Sequence, residues 1–131
     1  MKMQIAIVDD DKEMTEKVAA FIRQAQQKTD EEIVVKRFLQ GSSLLKELGQ
    51  ERDWDYDAYI LDVEMPEIDG LELARRIRKR EEDANIIFLS NYEKYALPAC
   101  KVRACDYIMK ERYREEVPAV LDRIRTEKRR R

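Results

Sequence analysis

The sequence predicts an α/β fold in which helices cover both faces of a parallel sheet. Two observations support this prediction. Short, nearly continuous apolar runs recur along the chain, as expected for strands buried on both sides. Between them, apolar residues recur every three or four positions, the period of an amphipathic helix. The 131 residues, 44% hydrophobic and 41% charged, suit one soluble domain with a strongly patterned core.

The first half of the chain contains two strand and helix pairs. Residues 3–8 are almost wholly apolar, and the spacing of apolar residues over 14–25 predicts a helix. A second strand is predicted at residues 32–39, where isoleucine and valine predominate. Glycine and serine at residues 41–43 then open a short helix that ends near Leu48.

The second half continues the alternation with three more strands, each followed by a helix. The predicted strands are residues 58–61, 86–89 and 106–109, and the predicted helices are residues 71–77, 95–102 and 112–129. A turn containing Pro66, Asp69 and Gly70 precedes the first of these helices. Pro98 fits only the first turn of the next one.

Composition and charge exclude several classes of protein. The 26 basic and 28 acidic residues leave a net charge of -2, so the bulk charge does not favour nucleic acid or an anionic membrane as partner. The longest uncharged stretch, residues 84–92, is far shorter than the roughly 20 residues of a membrane span. The first apolar run stops at Asp9 and is too short for a signal peptide. We therefore expect a cytoplasmic protein that does not contact a membrane.

Histidine and cysteine usage narrows the chemistry further. The chain has no histidine, which excludes a serine–histidine triad. Its two cysteines, Cys100 and Cys105, are too few for a disulfide framework, and we expect both to be small buried hydrophobic residues. Any chemistry must therefore use carboxylates, hydroxyls and lysine.

Polar side chains follow four of the five predicted strands. Asp9 and Asp10 follow the first strand, and Asp62 follows the third. Ser90 follows the fourth strand and Lys110 the fifth. Each alone has a structural interpretation as a helix cap, a turn former or a surface lysine. Because the carboxyl ends of parallel strands meet at one edge, where sites form in such sheets, their combination indicates a single site.

The residue types at this edge suit phosphoryl transfer. Like charges about 4 Å apart repel by about 4 kcal/mol per pair at an effective dielectric of 20, so three adjacent carboxylates need cations. Lys110 supplies one positive charge, and Mg²⁺, which prefers oxygen ligands, would supply the rest. Metal, lysine and a serine hydroxyl neutralise and position a phosphoryl group. Asp62 can serve as the nucleophile.

Four segments resemble the response-regulator receiver domain of two-component systems: residues 5–11 (IAIVDDD), 60–66 (ILDVEMP) with Asp69 and Gly70, 88–90 (FLS) and 106–110 (DYIMK). The resemblance covers essentially the whole chain, so residues 1–131 are identified as one receiver domain. It implies a flavodoxin-like, doubly wound (βα)5 fold with strand order 2-1-3-4-5. Residues 92–110 are similar to the branch whose receivers precede a LytTR-type DNA-binding domain.

The resemblance implies a metal-assisted phosphoacceptor. Asp62 would take a phosphoryl group from a phosphohistidine on a sensor histidine kinase. Asp10, Asp62 and the backbone carbonyl of Glu64 would bind Mg²⁺ directly, and Asp9 would act mostly through water. Lys110 would pair with the phosphoryl oxygens. The chain would be a phosphoacceptor that assists its own phosphorylation and dephosphorylation, and not an enzyme.

The resemblance also implies a switch. Ser90 would hydrogen-bond the phosphoryl group, and Tyr107 would change position as Ser90 moves. The alternative for Tyr107 is a half-buried aromatic residue on an edge strand. The added charge would bias the surface formed by the fourth helix, fifth strand and fifth helix, with homodimerisation as one outcome. Control of transcription would reach DNA only through an output domain that these residues do not contain.

Three departures from the family pattern stand out. Glu111 follows Lys110 where a proline, often with a cis peptide bond, is usual, so this loop is either trans or strained. Asn91 stands where a small residue is common and could crowd the approach to Asp62. Residues 1–131 contain no output domain, so we expect either a receiver cut from a longer regulator or a stand-alone receiver. Residues 128–131 either complement the dipole of the last helix or begin a linker.

Other functional classes fit less well. A flavodoxin-like electron carrier needs a first turn that cradles phosphate, which Asp9 and Asp10 would repel. A magnesium-dependent phosphatase would place its nucleophile after the first strand with an acid two residues later, and Asp9 and Asp11 fit that spacing loosely. A degenerate receiver acting as a binding module is the other alternative, but the chain retains all five site residues.

Overall fold

A computed structural model describes residues 2–26, 31–52 and 54–130. Strands and helices alternate in the order β1 (Lys2–Val8), α1 (Lys12–Gln26), β2 (Glu32–Phe38), α2 (Gly41–Leu48), β3 (Ala58–Leu61), α3 (Gly70–Arg80), β4 (Ile86–Ser90), α4 (Ala96–Lys101), β5 (Asp106–Met109) and α5 (Tyr113–Arg129). Short 3₁₀ turns at Glu93–Tyr95 and Lys110–Arg112 precede α4 and α5. Within the described ranges, no helix combines the length and apolar character needed to cross a membrane.

The five strands form one parallel sheet in the order β2-β1-β3-β4-β5. Both the α/β class and the implied strand order are therefore confirmed. Val8, the last residue of β1, lies beside Phe38 of β2 and Leu61 of β3. The three strands end level, so the residues that follow them emerge at the same edge.

Two apolar layers pack against the sheet, one on each face. Ile5, Ile7 and Ile60 face the layer formed with α1 and α5. Leu61 and Phe88 face the layer formed with α2, α3 and α4. Because both faces of β1, β3 and β4 are covered, the sequences of these strands are continuously apolar and do not alternate between apolar and polar residues.

The element boundaries differ from the prediction by a few residues at most. Ser90 is the last residue of β4 rather than a residue that follows it. Pro98 is the third residue of α4, where it costs no helical hydrogen bond. Pro118 lies inside α5, which continues past it to Arg129. The described residues contain no cis peptide bond, so the Lys110–Glu111 bond is trans.

The prediction that both cysteines are buried is wrong, because Cys100 and Cys105 are exposed. In α4 and the turn after it, Ala99 and Val102 take the buried positions, which leaves Cys100 on the outer side. Cys105 precedes β5, and its thiol donates to Oδ1 of Asn85 at 3.4 Å.

The basic end of α5 binds the amino edge of the sheet. Lys128 Nζ lies 2.9 Å from Oδ1 of Asp57, just before β3, and donates to the carbonyl of Lys2 at 2.5 Å. Arg129 pairs with the buried Glu31, just before β2. Residue 131 lies outside the described residues. Lys128 and Arg129 thus fasten the end of α5 to the body of the domain.

Candidate functional site

The sheet register brings two buried carboxylates together at the carboxyl edge. Asp9 follows β1 and donates its amide to the carbonyl of Phe38 at 3.1 Å. Asp62 follows β3 and donates its amide to the carbonyl of Val8 at 2.9 Å. Both residues therefore continue the strand ladders. The residues are only 3% and 6% exposed, which makes them unusual for aspartates.

A third carboxylate joins them because the chain turns outward after β1. Oδ1 of Asp9 accepts the amide of Asp11 at 3.0 Å, and this turn leaves Asp10 exposed at the mouth of the site. One carboxylate oxygen from each of Asp9, Asp10 and Asp62 lies within 4.8 Å of the others. Asp11 itself accepts the amide of Met14 at 3.2 Å and so caps the start of α1.

Lys110, in the 3₁₀ turn after β5, joins the acidic cluster. Its Nζ lies 2.8 Å from Oδ2 of Asp9 and 3.5 Å from Oδ1 of Asp62. This position is the one expected from the sequence, at the end of the fifth strand. A single ammonium balances only one of three carboxylates, so the site keeps an excess of negative charge.

That excess shows in the pKa values of the site. Burial raises the pKa of Asp62 to about 7, and the neighbouring charge of Asp9 adds to the rise while Lys110 opposes it. Burial alone would lower the pKa of Lys110, but its hydrogen bond to Asp9 and the charge of Asp62 raise it instead. A cation bound beside Asp62 would favour the ionised form of this carboxyl.

Ser90 and Tyr107 meet at the peptide group of Tyr92. The Ser90 side chain is fully buried, and its Oγ accepts the amide of Tyr92 at 3.0 Å. The Tyr107 hydroxyl donates to the carbonyl of the same residue. Ser90 and Tyr107 lie close together, because the Ser90 hydroxyl contacts both the backbone of Tyr92 and the hydroxyl of Tyr107. Asn91, which lies between Ser90 and Tyr92 in the sequence, is exposed.

Gly70 is a site residue that sequence analysis treated only as part of a turn. Its amide donates to the carbonyl of Val63 at 2.8 Å, which seats the start of α3 directly behind Asp62. A Cβ at this position would lie 2.0 Å from the backbone oxygen of Asp62. Asp69 caps the same helix by accepting the amide of Glu72 at 2.8 Å. Only a glycine fits where α3 meets the acceptor loop.

Sequence analysis also missed a role for the side chain of Glu64. The residue was singled out for its backbone carbonyl, but its exposed carboxylate accepts a hydrogen bond from the Tyr95 hydroxyl at 2.6 Å. The two residues are 31 positions apart, and no spacing rule connects a loop after one strand with a turn after the next.

Comparison with known proteins identifies the family. The sequence pattern of the response regulator receiver domain matches residues 5–122. The chain belongs to this family. The resemblance seen in the sequence is thereby confirmed, and the chain is the receiver domain of a two-component response regulator.

Two regulatory proteins are similar to this receiver domain over nearly all of its length. The sensory transduction protein LytT of Oceanobacillus iheyensis is 31% identical over 127 residues, 95% of this chain and 49% of LytT. The transcriptional regulatory protein NatR of Bacillus subtilis is 31% identical over 121 residues, 92% of this chain and 49% of NatR. The receiver domain thus spans about half the length of each relative. Similarity to LytT is consistent with the predicted LytTR branch.

A solved structure shows the same fold. The response regulator TrrA from Thermotoga maritima, solved in complex with Mg²⁺ and BeF, is 31% identical to this receiver domain. The two superpose with a TM-score of 0.73 over 93% of this chain and 98% of TrrA.

The acidic cluster of this receiver domain fits a magnesium ion. Receiver domains bind Mg²⁺ at such a cluster, and here all three side chains offer carboxylate oxygens, the ligands that Mg²⁺ prefers. The buried pair of Asp9 and Asp62 carries more negative charge than Lys110 balances, while the exposed Asp10 leaves an approach from solvent. Asp10, Asp62 and the carbonyl of Glu64 remain the predicted direct ligands.

Proposed function

We propose that this receiver domain accepts a phosphoryl group on Asp62 from a sensor histidine kinase in a magnesium-dependent reaction. The observation that carries the proposal is the buried Asp62 carboxylate, with Asp9 and Asp10 within 4.8 Å and the Lys110 ammonium 3.5 Å away. Burying a carboxylate among like charges destabilises the folded state unless the site binds cations. Bound cations in turn attract an anion such as a phosphoryl group.

In the proposed reaction, a carboxylate oxygen of Asp62 attacks the phosphorus atom of the donor. An oxygen–phosphorus bond forms as the bond from phosphorus to the donor nitrogen breaks, and its electron pair leaves with the imidazole. Lys110 already touches both buried carboxylates, so its ammonium is placed to pair with the incoming phosphoryl oxygens. Bound Mg²⁺, held by Asp10, Asp62 and the Glu64 carbonyl, would neutralise charge on the carboxylates and phosphate.

The proposed output is a switch of the surface formed by α4, β5 and α5. Phosphorylation adds about -1.5 to -2 charges, and the Ser90 hydroxyl would turn from Tyr92 toward the new oxygens. Tyr107 shares the Tyr92 peptide and would move with it. Leu97 on α4 is 72% exposed, which suits this surface to protein contacts such as a homodimer.

The domain would act as a cytoplasmic phosphoacceptor and not as an enzyme that turns over a substrate. LytT and NatR are about twice as long as this receiver domain, and their names describe sensory transduction and transcriptional regulation. We infer that this receiver controls transcription through a DNA-binding output domain.

Phosphorylation by a small donor tests the proposal directly. The protein is incubated with acetyl phosphate and Mg²⁺, and its intact mass is measured. We expect one added phosphoryl group on the wild type, none on Asp62→Asn, and none when EDTA removes the metal. Asp83→Asn removes an exposed carboxylate at the opposite edge of the sheet and should be labelled like the wild type.

Three results would overturn parts of this proposal. An unlabelled wild type would favour the degenerate binding module. Continuous release of phosphate from a phosphomonoester, abolished by Asp9→Asn, would favour the phosphatase. A sedimentation-derived mass that is unchanged by beryllofluoride across the micromolar range would exclude dimerisation of this domain as its output.

A further inference from the structure

One hydrogen bond beside the acceptor loop belongs to none of the roles described above. The hydroxyl of Tyr95, the last residue of the 3₁₀ turn that leads into α4, donates to Oε2 of Glu64 at 2.6 Å. Glu64 lies two residues after Asp62. The pair flanks a cavity of about 400 Å³ that Val63, Met65, Pro66, Asp69 and Leu71 also line. The bond therefore links α4 to the loop that carries the acceptor.

The Tyr95 ring is held in place from two sides. The ring of Tyr92 meets it edge-on, with centroids 6.2 Å apart and planes at 89°. Nζ of Lys94 lies 5.2 Å from the Tyr95 centroid and 5.3 Å from that of Tyr92. The hydrogen bond to Glu64 raises the pKa of Tyr95 to about 12, as expected for a hydroxyl that donates to a carboxylate. The Tyr95 hydroxyl is thus a well-positioned donor to the charged carboxylate of Glu64.

The location of the Glu64 charge matters because the site is already negative. Three aspartates face one lysine, and an incoming phosphodonor is itself an anion. Glu64 is two residues from the acceptor. Burial raises the pKa of the Tyr107 hydroxyl, the Ser90 hydrogen bond lowers it, and the charges of Asp62 and Glu64 raise it further. A fourth carboxylate, free to swing over the mouth, would repel the donor.

We infer that Tyr95 is a positioning residue that holds the Glu64 carboxylate on the α4 side of the site, out of the path of the phosphodonor. The inference rests on the proposed phosphorylation of Asp62. Tyr95 itself touches neither the acceptor nor the donor, so its effect must pass through Glu64. Removing its hydroxyl frees the glutamate and slows transfer from a small anionic donor.

A double-mutant cycle tests this inference. The rate of labelling by acetyl phosphate with Mg²⁺ is measured for the wild type, Tyr95→Phe, Glu64→Gln and the double variant. We expect Tyr95→Phe to be about fivefold slower, the size of effect that one exposed charge a few ångströms away has on an anion in water. In the Glu64→Gln background, where there is no charge to position, the same substitution should change nothing.

Three further measurements separate this charge effect from a structural one. The slowing should nearly vanish at about 1 M salt, where the Debye length falls to about 3 Å. Tyr92→Phe is the matched control, because it keeps the ring that packs on Tyr95 and removes only the hydroxyl of an exposed residue. It should be labelled at the wild-type rate, and Mg²⁺ affinity from calorimetric titration should be equal in Tyr92→Phe, Tyr95→Phe and the wild type.

The outcomes distinguish this inference from the function on which it rests. A wild type that takes up no phosphoryl group overturns both. A labelled wild type with Tyr95→Phe at the same rate overturns the positioning role alone. If Tyr95→Phe slows labelling equally with and without the Glu64→Gln substitution, the positioning role is also overturned. Slowing that persists at high salt, or that follows weakened Mg²⁺ binding, overturns it as well.

Discussion

Replacing Gly70 by alanine should damage both the stability and the acceptor site of this receiver domain. A Cβ at residue 70 would lie 2.0 Å from the backbone oxygen of Asp62 and 2.9 Å from Cα of Val63. Both neighbours are backbone atoms at the end of a buried strand and cannot turn aside as a flexible side chain would. The start of α3 and the acceptor loop must therefore move apart by more than about 1 Å to reach ordinary contact.

The expected cost follows from what this movement breaks. Overpacking of a close contact typically costs about 1 to 3 kcal/mol. Separation would also break the 2.8 Å hydrogen bond from the Gly70 amide to the Val63 carbonyl, worth about 1 kcal/mol. We expect Gly70→Ala to lower the free energy of unfolding by about 2 to 4 kcal/mol. Because a 1 Å displacement of a reacting group can cost about a hundredfold, labelling by acetyl phosphate should fall by about that factor.

Urea unfolding measures the stability, with Gly49→Ala as the matched control. Gly49 ends α2 with right-handed backbone angles, φ -76° and ψ -10°, and its Cβ would meet nothing closer than 3.6 Å. Alanine there should leave the free energy of unfolding unchanged or raise it by about 0.5 kcal/mol, because alanine reduces the conformational entropy of the unfolded chain. If Gly70→Ala matched Gly49→Ala in unfolding midpoint and in labelling rate, the close approach of α3 to Asp62 would be refuted.

Three other measurements test the hydrogen bonds of Arg78, the ion pair of Glu31 and the raised pKa of Asp62. Arg78→Met should lower the free energy of unfolding in urea by about 3 kcal/mol, because four backbone carbonyls lose a guanidinium donor; a midpoint unchanged from wild type would contradict this. Glu31→Gln should lower the free energy of unfolding by about 3 kcal/mol, because the little-exposed Arg125 loses its buried carboxylate partner and, among the described residues, keeps only the exposed Asp122, and a thermal scan with an unchanged Tm would contradict it. The metal-free protein should lose stability as pH rises from about 4 through 7, because the folded state raises the pKa of Asp62 from 3.8 to about 7 and so binds its proton more tightly than the unfolded chain. Asp62→Asn should remove that slope, and an equal slope in this variant would place its origin elsewhere.

The placement of the site was predictable because it follows from the strands. Each relevant apolar run stops at a polar residue: Val8 at Asp9, Leu61 at Asp62 and Met109 at Lys110. In a parallel sheet, neighbouring strands that end level deliver these residues to one edge, whatever the connecting helices do. Lys110 follows a strand that runs two residues past the end of β3, and its long side chain reaches both buried aspartates.

Contacts between helices and loops were not predictable in the same way. The bond from Tyr95 to Glu64 and the reach of Arg78 to the turn after α4 depend on where helices settle against the sheet. The exposure of Cys100 has a related cause. The six residues of α4 are too few for the helical period to show which side faces the core.

Ion pairs connect α5 to the amino edge of the sheet, and the pair of Glu31 with Arg125 is largely withdrawn from water. Glu31 is buried and pairs with Arg125 and Arg129, and Lys128 reaches Asp57 from the last turns of α5. Removing one partner of a buried pair costs about 3 to 5 kcal/mol, so this end of α5 is difficult to move.

At the carboxyl edge, the start of α4 is held by weaker contacts, which determines where a change at Asp62 can be expressed. The start of α4 is joined to the site by the hydroxyl of Tyr95 on Glu64, and the turn before it by the hydroxyl of Tyr107 on the Tyr92 carbonyl. Exposed hydrogen bonds of this kind contribute about 1 kcal/mol each to stability. The charge that phosphorylation adds is sufficient to break them. Regions with few buried contacts open first, so α4 and the turn before it should yield while the end of α5 stays in place. On this reasoning the two halves of the α4, β5 and α5 surface respond unequally, and α4 carries the signal.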